Sequence, residues 1–141
     1  MSDALMEGFY NRLVSNDGGT PPDYNDLYDA VGGRIFAFEA EPSETLPLIV
    51  YTMNDPVTER YFGGKVRSRA VFTVTVFGKA QSGLQAVTDI SEKAYAHLNG
   101  QAVTVSAHDR GVLRGLTRGG PAVEGEYVRS DSTFEMVATT S

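Results

Sequence analysis

The chain has no cysteine and no tryptophan among its 141 residues, and it has only two histidines. Without cysteine it can form neither a disulfide framework, nor a thiolate metal site, nor a cysteine nucleophile. No apolar run approaches the roughly 20 residues that a membrane-spanning helix needs. The first residues, MSDALMEGF, are acidic where a secretory signal peptide is basic, so we expect no signal peptide.

Positive charge is also scarce. Twelve Lys and Arg residues stand against eighteen Asp and Glu residues, a net charge of −6 that argues against a protein that grips nucleic acid. Residues 1–59 hold two basic and eleven acidic residues, net −9, whereas residues 60–141 hold ten and seven, net +3. Such a chain can associate with copies of itself, acidic side to basic side. Two solvated faces are the alternative interpretation.

The remaining composition is that of one globular domain spanning residues 1–141, because 41% of the residues are hydrophobic and 21% are charged. Apolar residues at helical spacing predict three helices. The first predicted helix is residues 3–15, with Leu5, Phe9 and Leu13 buried. A short second helix starts within 20–23 and ends at Gly32. The third is residues 82–98, capped by Ser82, with Leu84, Val87, Ile90 or Ser91, Ala94 and Leu98 on one face.

Alternating apolar residues predict the strands. Residues 47–53 are apolar on both faces, which indicates a central strand, and residues 67–79 form a strand long enough to project beyond its partners. The other expected strands are 34–39, 103–106, 111–118 and 127–139. The main order is α-α-β-β-β-α-β-β, which predicts an α/β fold with a single mixed, mainly antiparallel sheet and helices packed on it.

Few residues are suited to catalysis. His97 falls near the end of the third predicted helix, where an imidazolium suits the helix dipole. The His108-Asp109 pair lies in a turn-like stretch without the surroundings of a kinase catalytic loop. Residues 63–65 lack the spacing of a phosphate-binding loop. We therefore expect no enzyme and no cofactor, with a small hydrolase that uses His108 and Asp109 as the remote alternative.

Three carboxylates, Asp23, Asp26 and Asp29, follow one another at three-residue spacing and would line one side of the short helix. Oxygen ligands for a cation usually come from a tight loop or from several elements. A solvated acidic face is the simpler interpretation, and no metal site is expected.

Residues 55–65 are predicted to form the tip of a β-hairpin that carries Tyr61 and Phe62. Two adjacent aromatic residues there either meet a partner or fold back onto their own sheet. Arg67 and Arg69 follow on one face of the next strand. The later arginines, at 110, 114 and 118, are expected to be dispersed rather than to share one face.

Two segments carry a resemblance to a known family. The run Val31–Phe36 (VGGRIF), followed by an acidic loop and Leu46–Tyr51 (LPLIVY), resembles the tail terminator proteins of long-tailed bacteriophages and prophages, the tail-completion or minor tail protein U-like family. The similarity in element order covers about residues 4–138. The chain departs from the pattern in Phe36, where the family has tyrosine, in Leu48-Ile49, and in an inserted segment at 18–26.

The resemblance implies a virion structural protein rather than an enzyme. Members form a ring, commonly a hexamer, that caps the head-proximal end of the tail tube, stops its polymerisation and joins it to the head connector. Its implied partners are therefore further copies of itself, the tail-tube protein and a head-tail connector or head-completion protein. DNA passes through the ring without specific binding, and the implied location is the phage tail, after assembly in the host cytoplasm. No membrane association is implied.

On this hypothesis, acidic residues of the 17–44 region meet Arg60, Lys65, Arg67 or Arg69 of a neighbouring subunit, or they face the lumen. A head-completion, connector or tail-tube protein is the alternative, although the helices at 3–15 and 82–98 argue against a tube subunit. The candidate residues for a subunit interface or the lumen are Asp23, Asp26, Asp29, Glu39, Glu41, Glu44, Glu59, Arg60, Tyr61, Phe62, Lys65, Arg67 and Arg69.

Overall fold

The structure is a computed structural model that describes residues 2–15, 25–39, 45–54, 56–60, 64–80, 83–105 and 110–140. The helices are α1 (Ser2–Val14), α2 (Asp26–Ala30) and α3 (Leu84–Leu98). The strands are β1 (Ile35–Ala37), β2 (Leu48–Met53), β3 (Val57–Arg60), β4 (Val66–Lys79), β5 (Arg110–Arg118), β6 (Ala122–Glu124) and β7 (Tyr127–Thr139).

The seven strands form one sheet in the order β1-β2-β4-β7-β5. The β1–β2 pair is parallel, and the pairs that join β2, β3, β7, β5 and β6 to the sheet are antiparallel. The predicted fold class and the order of the main elements are thus confirmed. The short strands β3 and β6 were not predicted, because four and three residues are too few for an alternating pattern to stand out.

All three helices contribute to the core on one face of the sheet. The predicted buried residues of α1, Leu5, Phe9 and Leu13, are fully inaccessible to solvent. The Phe9 ring stacks on Phe72 of β4, with centroids 4.1 Å apart, and contacts Tyr51 of β2 at 5.7 Å. Burial, with a smaller effect of Tyr10, raises the pKa of Tyr51 to about 12, so its phenol is neutral at physiological pH. The other face of the sheet has no helix against it among the described elements.

Strand β4 is the central element of the sheet. It pairs with β7 along residues 67–79, while β2 and β3 lie end to end along its other edge. The expectation that this long strand projects beyond its partners is therefore wrong, because β3 completes the edge that β2 leaves open. The prediction for β2 is confirmed: it lies between β1 and β4, and Leu48–Tyr51 are buried on both faces.

The predicted helix starts need correction. Helix α2 begins at Asp26 rather than within 20–23, because Asn25 is extended and its Oδ1 accepts a hydrogen bond from the N–H of Tyr28. Helix α3 begins at Leu84 with Gly83, not Ser82, at the N-cap position. Leu84, the first residue of α3, is exposed rather than buried, and the other predicted apolar positions of α3 are buried.

No strand forms at 103–105, the described part of the predicted strand 103–106. Instead, residues 100–103 run along the outer edge of β5 as an irregular cover, with one isolated bridge between Ala102 and Val112. Hydrogen bonds join Gly100 N to Leu113 O and Leu113 N to Gln101 O, both at 2.9 Å. This cover occupies edge groups that would otherwise be open to another strand.

Candidate assembly surfaces

A row of alternating charges crosses the helix-free face of the sheet. Its members are Glu59 on β3, Arg69 on β4, Glu135 on β7 and Arg114 on β5. The guanidinium of Arg69 lies 3.5 Å from a Glu59 carboxylate oxygen and 3.9 Å from one of Glu135. Arg114 lies 3.1 Å from the second oxygen of Glu135. We call these four residues the charge row.

Strand register produces this row. Adjacent residues of a strand point to opposite faces, so Arg67 and Arg69 share one face, as predicted, and that face is the helix-free one. Glu59 is directly opposite Arg67, and Arg114 is directly opposite Glu135. Exposed ion pairs of this kind contribute about 0–1 kcal/mol each to stability, so the row matters more for what it presents than for holding the fold together.

Valine side chains flank the charge row on the same face. Val57 is opposite Arg69, Arg69 is opposite Val137, and Val137 is opposite Val112. Val57 and Val112 are 56% and 45% exposed, which is high for β-branched residues in a sheet. A shallow groove of about 280 Å³ is lined by Val112, Arg114, Glu135, Val137 and Thr139.

A second polar cluster lies on the same face at the opposite end of β7. Arg129 donates to both carboxylate oxygens of Asp131, at 3.0 and 3.2 Å, and to Glu124 at 3.3 Å. Hydrogen bonding to Asp131 is the main cause that raises the pKa of the Arg129 guanidinium. The guanidinium lies 5.3 Å from the centre of the Phe77 ring, and Thr75 donates to Asp131. These contacts pair the Arg129 charge within the subunit.

The remaining candidates that the structure describes lie elsewhere. Asp26 and Asp29 are exposed on α2, and Glu39 is exposed two residues after the edge strand β1. Arg60 is exposed at the end of β3, and Lys65 is exposed immediately before β4. The candidates that the structure brings into one cluster are Glu59, Arg67 and Arg69. Five candidates lie outside the described residues: Asp23, Glu41, Glu44, Tyr61 and Phe62. His108 and Asp109 of the remote enzyme alternative also lie outside them.

His97 lies in the last turn of α3, as predicted, and contacts the backbone of α1. Its Nε2 lies 2.6 Å from the carbonyl oxygen of Arg12 near the C-terminal end of α1. Because the Arg12 carbonyl can only accept, we assign the donor hydrogen of this contact to Nε2. The Asn25 amide, 3.0 Å from the same nitrogen, donates to the carbonyls of Leu13 and Ser15. Desolvation by burial lowers the pKa of His97, which favours the neutral ring over the imidazolium that would suit the helix dipole.

No group of three acidic, histidine or cysteine side chains that could hold a metal ion occurs within the described ranges. Of the helices the structure describes, none has both the length and the hydropathy needed to cross a bilayer.

Sequence reasoning missed Glu135 and Arg114 as members of the charged surface. The expectation that the later arginines do not share one face is confirmed for Arg114 and Arg118: Arg114 pairs with Glu135, whereas Arg118 pairs with Glu92 of α3 at 3.1 Å. A register irregularity between Gly115 and Thr117 separates them. Alternation along β7 gave a signal for the face that Glu135 occupies, but only the register of β5 and β4 against β7 identifies its partners.

The fold is shared with solved structures. A chain of the virion of a native gene transfer agent particle superposes with a TM-score of 0.74 at 20% identity, covering 98% of this chain and 96% of that one. A second solved chain has a TM-score of 0.68 at 10% identity, covering 98% and 95%. No protein-family model matches the sequence, and no curated protein sequence matches it. At these identities the comparison establishes the fold.

Proposed function

We propose that this chain is a virion structural protein of a phage-like particle. More specifically, it is a tail terminator whose copies form a ring, commonly a hexamer in the family it resembles, on the head-proximal end of the tail tube. The ring stops tube polymerisation, joins the tail to the head connector or head-completion protein, and lets DNA pass without binding it specifically.

The observation that carries this proposal is the match to a virion chain over nearly the full length of both chains, at a TM-score of 0.74. The resemblance of Val31–Phe36 and Leu46–Tyr51 to tail terminators supports the position in the tail. The acidic net charge of −6 also supports a DNA passage, because a lumen rich in Lys and Arg would retain phosphates. A structural rather than enzymatic role also accords with His97, whose Nε2 contacts a backbone carbonyl.

We propose that the ring closes through heterologous contacts between acidic and basic surfaces. The acidic side comprises Asp26, Asp29 and Glu39, which are exposed. The basic side comprises Arg60 and Lys65 of the β3–β4 hairpin, which are also exposed. Ion pairs at the rim of such a contact steer assembly more than they stabilise it, at about 0–1 kcal/mol each. The unplaced candidates Asp23, Glu41, Glu44, Tyr61 and Phe62 belong to the same proposal.

Electron microscopy of the purified protein mixed with tail tubes of its own particle tests the proposal. A tail terminator binds one tip of each tube and prevents further growth when tube subunits are added. Binding along the tube wall, or no binding at either tip, would refute the terminator role. Binding to isolated head connectors but not to tubes would instead identify the connector or head-completion alternative.

Charge reversal tests the ring contact separately. The double variant Arg60→Glu with Lys65→Glu is expected to abolish the ring or to lower its yield severalfold, as measured by light scattering and by counting capped tubes. The matched control is Lys79→Glu with Lys93→Glu, which changes the net charge equally at two exposed sites away from this contact, the far end of β4 and helix α3. Equal loss of assembly in both variants would mean that net charge, not this contact, controls the ring.

A further inference from the structure

The helix-free face combines exposed apolar surface, which is unfavourable on an isolated subunit, with a row of solvated charges. Val57 and Val112 expose apolar surface, and the charge row between them holds its ion pairs in contact with water. Exposed apolar patches rimmed by polar groups mark interaction sites. The groove beside Val112 and Arg114 adds a concave region to the same surface.

The order of the charges indicates the partner. From β3 to β5 the charge row reads Glu59, Arg69, Glu135, Arg114, which is negative, positive, negative, positive. An alternating row with an even number of members becomes its own complement when it is reversed. A two-fold axis that crosses the row between Arg69 and Glu135 reverses it in this way, and two-fold contacts are the commonest symmetric contacts between identical chains.

We propose that the helix-free face binds the same face of a second copy of this chain through a two-fold contact centred on the charge row. Glu59 of each copy then lies against Arg114 of the other, and Arg69 lies against Glu135. Val57, Val112 and Val137 provide the apolar area around these pairs. This contact is distinct from the heterologous ring contact, and it joins two subunits, or two rings, face to face.

The geometry of the row sets how the two sheets meet. Glu59 is level with Arg67, whereas Arg114 is level with Glu135 and Val71, so the row runs diagonally across the strands. A two-fold axis that reverses a diagonal row is itself oblique to the strands. Rotation about this axis therefore makes the strands of the two copies cross at a steep angle, which is the orthogonal mode of sheet packing. The ion pairs within each subunit remain possible in the complex, because each charge then lies between opposite charges of both copies.

Paired charge reversals test the proposal. In the Arg114→Glu variant, Glu59 of one copy faces a glutamate of the other. In the Glu59→Arg variant, Arg114 faces an arginine. Each variant alone is therefore expected to weaken face-to-face pairing by about tenfold or more, because like charges oppose each other twice in every pair. An equimolar mixture restores opposite charges at both positions and is expected to recover the wild-type affinity within about threefold.

Sedimentation velocity from low-micromolar to near-millimolar protein measures this pairing as a doubling of mass, whether the unit that pairs is a subunit or a ring. Arg118→Glu is the matched control, because Arg118 lies on the same strand, pairs with one glutamate and points to the helical face. Far-ultraviolet circular dichroism checks that each variant is folded. Restoration in the mixture together with a silent control supports the proposal.

Three results would overturn it. These are a wild type whose mass does not double at any concentration, as expected if a different protein covers this face; a mixture no stronger than the single variants; and equal weakening by Arg118→Glu. A change in monomer stability cannot imitate the restoration, because each chain in the mixture still carries its own substitution.

Discussion

Replacing Asn25 by alanine is expected to destabilise the junction of the three helices more than any single exposed substitution. Asn25 is 5% exposed and sits where α1 ends and α2 begins. Its Nδ2 donates to the carbonyls of Leu13 and Ser15, at 2.9 and 3.1 Å, and its backbone N–H donates to Val14 at 2.8 Å. Because its Oδ1 also caps α2, one side chain satisfies backbone carbonyls at the C-terminal end of α1 and a backbone N–H at the start of α2.

The magnitude follows from these bonds. Loss of an N-cap costs about 1 kcal/mol. Each buried carbonyl that loses its donor costs about 1–3 kcal/mol, and the lower end applies because the groove beside Asn25 and His97 admits water to the junction. The total is about 3 kcal/mol. For a domain of this size, that lowers the melting temperature by about 10 °C.

Chemical and thermal denaturation of Asn25→Ala and Asn25→Ser measure this effect. Serine retains an acceptor for the N–H of Tyr28 but reaches neither carbonyl of α1, so Asn25→Ser is expected to be about 1 kcal/mol more stable than the alanine variant. Asn54→Ala, which removes an exposed acceptor for the N–H of Val71, is the control and is expected to cost under about 1 kcal/mol. Equal stability of Asn25→Ala and Asn54→Ala would refute the reasoning.

Two further predictions concern packing and pH. Alanine usually stabilises a helix relative to glycine by about 0.5–1 kcal/mol, but Gly8→Ala is expected to destabilise the fold, because its Cβ would lie 2.7 Å from the backbone oxygen of Thr104. Gly120→Ala, whose Cβ meets nothing within 4 Å, is the control, and urea titrations compare the two. Desolvation lowers the pKa of His97 in the folded chain below the 6.5 of the unfolded chain. The neutral ring therefore contributes stability that is fully present above pH 6.5 and is lost as the pH falls through the folded pKa. Urea titrations of wild type and His97→Gln across this range check the sign, and a wild type that gains stability on acidification relative to the variant contradicts it.

Local pattern was sufficient for the long elements of the fold. The four-residue spacing of Leu5, Phe9 and Leu13 predicted the buried face of α1, and alternation predicted β4 and β7, because each signal repeats over many residues. The start of α2 was misplaced because prolines at 21 and 22 suit a first helical turn, whereas the tertiary carbonyls that Asn25 satisfies are invisible in the local sequence. The strands β3 and β6 depend on long neighbours for their pairing.

Sequence reasoning predicted only part of the candidate surface. Spacing alone placed Arg67 and Arg69 on one face, and the structure agrees. Their surroundings depend on which residues of β3 and β7 lie opposite, a long-range property that a single sequence does not encode in any local pattern. The register of β7 brings Glu135 beside Arg69, although Glu135 belongs to the half of the chain with a net positive charge.

Register also changes what the uneven charge of the sequence means. The division into a −9 and a +3 half suggested one kind of contact, acidic half against basic half. In the folded chain, however, Glu59 of the acidic half is paired with Arg69 of the basic half, and the charge row that they begin is balanced. A balanced alternating row complements its own reverse, whereas the exposed Asp26, Asp29 and Glu39 complement a surface with excess positive charge. The two surfaces therefore call for different partners: reversal at Arg60 and Lys65 should impair the ring contact and spare face-to-face pairing, and reversal within the charge row should do the opposite.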